Sequence, residues 1–571
     1  MSNFVLPRAL DGKRADVRKR FYISPVAVTR VWGDVEGAEC LIGRSESQVL
    51  FKCEDPVCTM RNSGGVHAAM LIDYGCEIHG DVRFVTEKVS NAEDAVITAN
   101  VRVRFGESIA EAMTPVGVKG ATNDHATRDT VLGISQWAAQ ESGETGFRYM
   151  YIEALDDDAV IRIKSLTGTL IVCDVDPIGS FVSSDDRLNR VWQTAAYTVY
   201  LNMQDYLWDG IKRDRAVWFG DMNTEVETAL SVFGDTDVVR RSLEFGVATT
   251  PLPKWMNGIP SYSFWWLVNM WRVFEYSGDF EFLKKHEKYI KGLIMQINDC
   301  ILPDGSWSVT GRMATFIDWS TRSDDVAQKI GFSGLLAFTL EICCKILEVL
   351  CDSELIGRCK RLREVLIKNA PSPVSQKIAA ACLSLGGITD ARYIDESFIE
   401  PCGVHGYSTF MGYTILNAKA LADNVEGGVS ACLDYWGAML DLGATSFWED
   451  FDIEWASATP IDRFPEEGKP SVHGDYGKHC YVGIRLSLCH GWSAGPCPWL
   501  TKYVLGVQIE KPGMSVVRIK PCLAHLEWLE GTVPTPYGAL SVRHERIGDR
   551  IVTSVTAPDG IELIYDGCEP A

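Results

Sequence analysis

The chain has 571 residues, of which 46% are hydrophobic and 23% charged, so it can bury a large core and is neither disordered nor collagen-like. Lys and Arg number 55 against 76 Asp and Glu, which gives a formal net charge of −21. A chain this acidic repels phosphate backbones and anionic lipid headgroups, so we expect no nucleic-acid partner and no membrane partner. The length predicts about two to four domains.

Location and metal content can also be predicted from the composition. The N-terminal segment, MSNFVLPRALDGKRADVRKRF, lacks the uninterrupted apolar core of a secretory signal. The 18 cysteines are scattered without a CxxC pair, which predicts reduced thiols in a cytoplasmic protein. The most apolar stretch, residues 334–350, carries charged residues at helical spacing and is typical of a buried helix, not of a bilayer span. Cys489 and Cys497 flank His490 without a second close Cys/His pair, so we predict no metal site.

The N-terminal third is predicted to consist mainly of strands. From residue 21 to about 180, apolar and polar side chains alternate in short runs that Gly, Asp and Asn separate. These runs are VAVTRVW, QVLFKCE, HAAMLIDYG, GDVRFVTEKV, AVITANVRVRFG, RYMYIEAL, AVIRIKSL and GTLIVCDV. They predict a β-sandwich domain over residues 1–180.

The middle of the chain is predicted to be helical. From Asp185 the apolar period changes to three and four residues, as at Leu188, Val191, Trp192 and Ala195. About twelve helices are predicted, at 185–204, 222–233, 236–247, 261–277, 280–299, 324–350, 353–369, 374–384, 408–422, 426–441, 476–488 and 490–503. Because no repeat at a fixed period supports an α-solenoid, we expect a toroid of six inner and six outer helices over residues 181–506.

Strand patterns return from about Val507, in GVQIEK, MSVVRIKP, TPYGALSVRHE, DRIVTSVTA and IELIYDG. They predict a small β-sheet domain over residues 507–571. The predicted fold class is therefore a multidomain α and β protein, with a helical toroid between an N-terminal β-sandwich and a small C-terminal β-domain.

Tryptophan is concentrated in the helical segment, where 14 of the 17 indoles lie between Trp192 and Trp499. Indole faces stack on the C–H faces of sugars and shield carboxyl groups from water, so loops that mix Trp with Asp and Glu indicate a carbohydrate site. A single Trp is better explained as part of a large helical core.

The loop between the first two helices carries the densest set of charges. It reads YLWDGIKRDRAVWFGD and contains Asp209, Asp214 and Asp221. If it is extended, Arg213 and Arg215 point away from the face that carries Asp214, which would leave this aspartate free to act as a proton donor. The alternative is a salt-bridged surface loop.

Three other junctions between helices couple an acid or a histidine to tryptophan. They are Asp318-Trp319, Trp448-Glu449-Asp450 and His490-Gly491-Trp492. A toroid places its substrate loops at such junctions. Taken alone, Asp318 is also explained as a helix-capping or turn acid, and His490 as a structural histidine.

The four motifs DGIKRDRAVWFGD, FIDW, ATSFWEDF and SLCHGWSAGP, in that order, resemble the catalytic domain of the α-L-rhamnosidases of glycoside hydrolase family 78. The resemblance extends to LIDYGCEIHGDV and ETGFRYMYIEAL upstream and to the terminal β-domain, so it covers nearly the whole chain. It implies an (α/α)6 barrel flanked by β-domains. It also implies hydrolysis of terminal α-L-rhamnose with inversion, by a general acid and a general base and without a cofactor.

The resemblance also implies a role for each candidate residue. Asp214 corresponds to the general acid and Glu449 to the general base, and Asp209 and Asp221 correspond to carboxylates that hold sugar hydroxyls. Trp218, Asp318, Trp319 and His490 correspond to further contacts with the bound rhamnose. The chain departs from the family pattern at Asp214, where many members have Glu, and at Val217, where many have Gly.

Two other interpretations stay open from the sequence. One is another toroid glycosidase, such as a trehalase or a uronyl hydrolase, and the other is a non-catalytic sugar-binding relative. Retention of both Asp214 and Glu449 argues against a simple binder. The expected partner is a small rhamnoside or a rhamnose-containing oligosaccharide, and a homodimer is one assembly that the sequence permits.

Overall fold

The computed structural model describes residues 14–44, 48–49, 56–473, 480–481 and 483–571. Its first third is a β-sheet domain, its middle is helical, and its last part returns to strands. This order is the predicted one. The predicted strand at residues 48–54 lies outside the described residues, apart from Gln48 and Val49.

Ten antiparallel strands form the N-terminal sheet. They are Arg18–Ile23 (β1), Ala27–Trp32 (β2), Asp34–Glu36 (β3), Cys58–Arg61 (β4), Ala69–Asn91 (β5), Ala99–Gly106 (β6), Asp129–Ile134 (β7), Ala139–Glu141 (β8), Thr145–Ala154 (β9) and Ala159–Cys173 (β10). The long strand β5 pairs with β2, β8, β9 and β10 along its length, with a register irregularity between Asp73 and Ile78. The predicted runs HAAMLIDYG and GDVRFVTEKV are thus one strand. Alternate apolar residues of neighbouring strands, such as Met70, Ile152 and Ile161, form the fully buried core of this domain.

The helices of the described chain begin with one turn between β6 and β7 and then fill the middle segment. They are Ile109–Ala112 (α1), Asp186–Asn202 (α2), Met222–Val232 (α3), Asp237–Thr249 (α4), Pro260–Ser277 (α5), Phe280–Lys285 (α6), Glu287–Asp299 (α7), Asp325–Val349 (α8), Ser353–Lys368 (α9), Lys377–Leu385 (α10), Ala391–Ile394 (α11), Gly412–Leu421 (α12), Val425–Ala431 (α13), Gly437–Asp441 (α14) and Pro496–Trp499 (α15). Short π-helical segments extend α11 to Ile399, join α13 to α14, and extend α15 to Val504.

Six of these helices form the inner ring of the toroid. Helices α3, α5, α8, α10, α12 and α15 are buried almost throughout, and each contacts the next, with α15 returning to α3. Between them in the chain come α4, α7 and α9, which bury one face only because their other face is charged. Apolar residues on all sides therefore predict an inner helix, and an amphipathic pattern predicts an outer one.

Helix α8 shows how closely the inner helices approach one another. By length and composition it could cross a membrane, but 83% of its apolar window is buried inside the protein, as expected for a core helix. A Cβ atom at Gly334 would lie only 2.3 Å from the carbonyl oxygen of Cys382 in α10. Glycine is therefore required at Gly334 for α8 and α10 to touch.

The structure differs from the helix prediction at two segments, since one predicted helix is not formed and one helical segment was not predicted. The predicted helix 476–488 lies partly outside the described residues, and the described part of 480–488 contains only a 3-10 turn at Gly483–Arg485. Its backbone amides at Ser487 and Leu488 donate to the carboxylates of Glu449 and Glu107 instead of to helical carbonyls. The count of about twelve is kept by the unpredicted segment 391–399, in which Asp395 interrupts an apolar stripe of Ala391, Ile394, Phe398 and Ile399.

The C-terminal strands form two small sheets. They are Val507–Lys511 (β12), Val516–Ile519 (β13), Trp528–Thr535 (β14), Gly538–Ile547 (β15), Arg550–Thr556 (β16), Glu562–Tyr565 (β17) and Glu569–Pro570 (β18). The strand Ser180–Ser183 (β11), which precedes the toroid, pairs with β14. The predicted boundary at residue 180 thus falls on a strand that joins the terminal sheet, and the division into three domains stays a prediction.

Candidate active site

The loop that follows α2 is curled, not extended. Asp214 and Arg215 both have left-handed backbone conformations, with φ of 53° and 52°. Asp209 Oδ1 accepts a 3.0 Å hydrogen bond from the amide of Ala216, which closes the curl. The expectation that Arg213 and Asp214 point to opposite faces is therefore wrong, because the alternation of an extended strand does not apply to left-handed residues.

Arg213 joins the two candidate catalytic carboxyl groups. Its Nη1 donates to Asp214 Oδ1 at 3.2 Å, and its Nη2 donates to Oε1 of Glu449, which is 236 residues away in the chain. Its Nε donates to the carbonyl of Arg485 at 2.9 Å, and the ring of Tyr481 lies 3.8 Å from the guanidinium carbon. One guanidinium thus links the two carboxyl groups by hydrogen bonds.

Glu449 is a buried carboxylate with every oxygen engaged. Its Oε2 accepts from the amide of Ser487 at 3.1 Å, and its Oε1 accepts from Cys480 Sγ at 3.0 Å as well as from Arg213. Burial alone would raise the pKa of Glu449, but the neighbouring Arg213 guanidinium outweighs it and lowers the pKa to about 2. Glu449 is therefore ionised and able to accept a proton.

Asp209, Asp221 and His490 form a buried group that we call the acid–histidine cluster. His490 Nε2 lies 3.7 Å from Asp209 Oδ2 and 3.9 Å from Asp221 Oδ2. Burial raises the pKa of both aspartates, with mutual repulsion and the nearby Asp214 adding to the effect at Asp209, and burial lowers the pKa of His490 to about 3. Asp221 Oδ1 and His490 Nδ1 are buried without a protein partner. The cluster therefore offers donors and acceptors to a ligand.

The acid–histidine cluster fits more than one ligand chemistry. One ligand atom from each residue lies within 4.8 Å of the others, a spacing that could hold a metal ion. Neutral imidazole and carboxyl groups that favour their protonated forms match sugar hydroxyls, which both donate and accept hydrogen bonds. The prediction that no metal binds is tested by chelation below.

Glu225 extends this site and was missed by the sequence analysis. It is buried in the first turn of α3, its Oε1 has no hydrogen-bond partner, and a Cβ atom at Gly491 would lie 2.0 Å from that oxygen. Burial raises its pKa, and the carboxylates of Asp221 and Asp209 raise it further. A signal was available, since Glu225 lies on the apolar stripe of α3 between Met222 and Val226.

The two predicted tryptophans lie at the edge of this site. Trp218 is partly buried and meets Tyr262 edge to face, with ring centroids 6.1 Å apart. Trp319 is also partly buried and lies 6.4 Å from the ring of Tyr481, which covers Arg213. The structure thus brings both indoles close to residues that contact the predicted acids.

Asp318 has a different environment. Its Oδ1 accepts from the amide of Ser320 at 2.7 Å, which caps a 3-10 turn. Its Oδ2 accepts from Ser408 Oγ at 2.7 Å and from the amide of Met411 at 3.3 Å. Because both oxygens are engaged by the protein, the geometry favours the capping interpretation of Asp318 over a sugar contact.

The N-terminal domain reaches the site, which the sequence did not reveal. Lys212 of the curled loop lies 2.9 Å from Glu107 Oε2 and 3.2 Å from Glu111 Oε1, and all three side chains are buried. His125 Nε2 lies 3.6 Å from Asp214 Oδ1. Residues from the segment between β6 and β7 therefore form one wall beside the candidate acid.

The family comparisons agree with this geometry. Residues 176–331 match the model described as bacterial alpha-L-rhamnosidase 6 hairpin glycosidase domain, and residues 506–564 match the bacterial alpha-L-rhamnosidase C-terminal domain. Both matched segments are thus similar to domains of bacterial α-L-rhamnosidases. The predicted resemblance and fold class are thereby confirmed: a six-hairpin glycosidase domain is followed by a C-terminal β-domain and preceded by a β-sheet domain.

Individual relatives are distant and longer. An α-L-rhamnosidase of Alteromonas sp. (strain LOR) is 22% identical over 471 residues, which cover 74% of this chain and 48% of the relative. The chain thus spans about half the length of this curated relative. A GH78 family rhamnosidase of Bacillus sp. GL1 superposes with a TM-score of 0.74 at 20% identity, over 93% of this chain and 56% of that one. A rhamnosidase from Klebsiella oxytoca with rhamnose bound superposes with a TM-score of 0.63 at 17% identity, over 85% and 96%.

Proposed function

We propose that the chain removes terminal non-reducing α-L-rhamnose from rhamnosides, by inverting hydrolysis with Asp214 as general acid and Glu449 as general base. The observation that carries this proposal is the pair of carboxyl groups held on either side of one guanidinium. The match of residues 176–331 to the rhamnosidase domain supports the choice of sugar. Further support comes from the Klebsiella oxytoca relative, whose structure contains bound rhamnose.

The two carboxyl groups account for every proton in the reaction. Asp214 donates a proton to the glycosidic oxygen as the bond from this oxygen to the anomeric carbon breaks. Glu449 takes a proton from water while the water oxygen bonds to the opposite face of the anomeric carbon. The leaving group departs as an alcohol, and the sugar carries the new hydroxyl with inverted configuration. Exchange with solvent returns the proton from Glu449 and restores the one on Asp214.

The acid–histidine cluster is suited to hold the sugar during this reaction. Its unpartnered polar atoms, Asp221 Oδ1 and His490 Nδ1, are buried and gain partners when hydroxyls bind. As positive charge develops on the ring, the carboxyl oxygens that face it stabilise the transition state without giving up a proton. Trp218 and Trp319 provide apolar faces for the sugar and for its methyl group.

A uronide substrate is less compatible with this site. A sugar carboxylate needs a cation that faces it, and two arginines beside the candidate carboxyl groups already pair with acids. Arg213 is held by Asp214 and Glu449, and Arg485 pairs with Asp124. A non-catalytic sugar-binding protein would need no acid and base at one glycosidic linkage.

Two assignments are tested separately from catalysis. The cytoplasmic location is supported by the cysteines that the structure describes, all of which are free thiols. Cell fractionation tests this location. Light scattering at several protein concentrations tests whether the chain forms a homodimer.

The proposed function is tested by a panel of 4-nitrophenyl glycosides followed by proton NMR of the released sugar. We expect hydrolysis of the α-L-rhamnoside in preference to glucosides and uronides, with the β anomer of rhamnose appearing first. The double variant D214N/E449Q is the control for background hydrolysis. Initial release of the α anomer would contradict the roles of acid and base, and selective hydrolysis of a uronide would contradict the substrate.

A further inference from the structure

The environment of Arg213 is unusual for an arginine because its guanidinium is almost completely removed from water. Only 4% of its side chain is exposed, yet it contacts two acidic groups, a backbone carbonyl and an aromatic face. These contacts fix both the position and the plane of the guanidinium. Because the guanidinium has so little freedom to move, it also holds the two carboxyl groups that it binds in fixed positions.

We infer that Arg213 is a positioning residue that fixes the carboxylate of Glu449 opposite Asp214 and compensates its buried charge. The inference rests on the proposed function, in which Glu449 activates water. It assigns to Arg213 a role that acts through Glu449, without contact with the reacting atoms.

Of the described groups that face Glu449, Arg213 is the one whose positive charge compensates the carboxylate. Among the described residues, the titratable groups near this carboxylate are Arg213, Asp214, Asp221, Asp450, Cys480, Tyr481 and His490. Burial lowers the pKa of His490 to about 3, and burial raises the pKa of Asp450 to about 7. Cys480 donates a weak hydrogen bond but carries no positive charge. Without Arg213, the buried carboxylate would keep a thiol and the Ser487 amide as donors but would have no cation.

The geometry also explains why lysine is a poor substitute. Arg213 uses Nη1 for Asp214, Nη2 for Glu449 and Nε for the carbonyl of Arg485, so three parts of one planar group act together. An ammonium group is a point charge on a flexible stem and cannot hold these three directions at once. A lysine would supply the charge and lose the orientation.

The pH dependence of kcat/KM separates positioning from a general structural effect. In the wild type, Glu449 has a pKa of about 2, so the acidic limb due to this group lies near pH 2. In R213Q the pKa of Glu449 rises, and we expect the acidic limb to move up by more than about one pH unit. We expect kcat to fall about 10²-fold with a smaller change in KM, because the base is misplaced while the sugar contacts remain. R213K keeps the positive charge, so the acidic limb of its pH profile should return towards the wild-type position more completely than its kcat returns to the wild-type value.

Arg215 provides a matched control in the same loop. It stacks on Trp208 and contacts the carbonyl of Glu144, and it touches neither Asp214 nor Glu449 in the structure. R215Q should keep the acidic limb of the wild type. If R213Q also keeps that limb while the wild type hydrolyses rhamnosides, the inference is wrong and the proposed function stands.

A double-mutant comparison of melting temperatures tests the inference even if the wild type proves inactive on every glycoside. In R213Q, Glu449 is a buried carboxylate without a cation, so its destabilising effect should grow as the pH rises above the pKa of unfolded Glu, about 4.3. At pH 7 the double variant R213Q/E449Q should therefore melt at a higher temperature than R213Q. An equal or lower melting temperature of the double variant would overturn the inference.

Discussion

Replacing Lys212 by methionine should loosen the contact between the N-terminal domain and the active-site loop. Lys212 Nζ lies 2.9 Å from Glu107 Oε2 and 3.2 Å from Glu111 Oε1, and it donates to the carbonyls of Ile484 and Leu486 at 3.1 and 2.6 Å. Methionine has a similar length and no charge. The variant therefore leaves two carboxyl groups and two carbonyls in a buried space without their common donor.

The expected cost is large because the whole group is buried. Removing one partner of a buried ion pair costs about 3–5 kcal/mol, since the remaining charge is left without compensation. Burial already raises the pKa of Glu107 to about 7, although Lys212 lowers it. Without Lys212 this pKa rises further, so the additional loss of stability should be small below about pH 7, where Glu107 is protonated in both folded proteins, and should increase above that pH.

Calorimetry and urea unfolding at pH 5, 7 and 8 measure this effect. At pH 8 we expect the melting temperature of K212M to fall by about 2–4 °C relative to the wild type, since the unfolding entropy is about 2.1 cal/mol/K per residue. The control is K19M, because Lys19 pairs at 2.7 Å with Asp176, whose side chain is 91% exposed, and should lose less than about 1 kcal/mol. Equal losses in the two variants, or a loss in K212M that does not change with pH, would refute the reasoning.

Three further predictions concern catalysis, metals and the toroid. D214N and E449Q should each lower kcat by about two or more orders of magnitude with little change in binding, and near wild-type turnover of a rhamnoside with a poor leaving group would exclude the assigned role. Dialysis against EDTA should leave kcat/KM unchanged, and a loss that added divalent metal restores would show that the acid–histidine cluster binds an ion. G334A should cost about 1–3 kcal/mol, because its Cβ meets a backbone oxygen of α10 at 2.3 Å. G357A in the outer helix α9, where the Cβ meets only the end of a flexible side chain, should instead stabilise by about 0.5–1 kcal/mol, so urea midpoints of the two variants should shift in opposite directions.

The sequence alone was sufficient for the architecture of the helical segment. The apolar spacing in α2 and α4 marks one buried face, and the nearly continuous apolar sequence of α8 marks a helix surrounded by others. These patterns are local, because each residue's environment follows from its neighbours three and four positions away. The helix prediction was wrong for residues 480–488, where backbone amides bind side-chain carboxylates from elsewhere in the chain.

The candidate site, like the helical segment, could be predicted from the sequence only where local residue types decide it. Motifs in a fixed order were enough to select Asp214 and Glu449, because the residue types required by acid–base chemistry are visible in the sequence. The sequence could not show the left-handed turn at Asp214 that directs Arg213 towards both carboxyl groups. It also could not show that Glu107, from a different domain, holds the loop beside Glu449.

The sequence by itself determined most of the helices and strands, the residue types that can exchange protons, and the family that the toroid resembles. The tertiary structure alone decided which charges meet, and therefore which carboxyl groups have a lowered pKa and which a raised one. Glu449 and Asp221 are both buried acids, yet the pKa of Glu449 is lowered and that of Asp221 is raised. The physical reason is that an ionisable group responds to the charges within a few ångströms of it, and folding brings these together from distant parts of the chain.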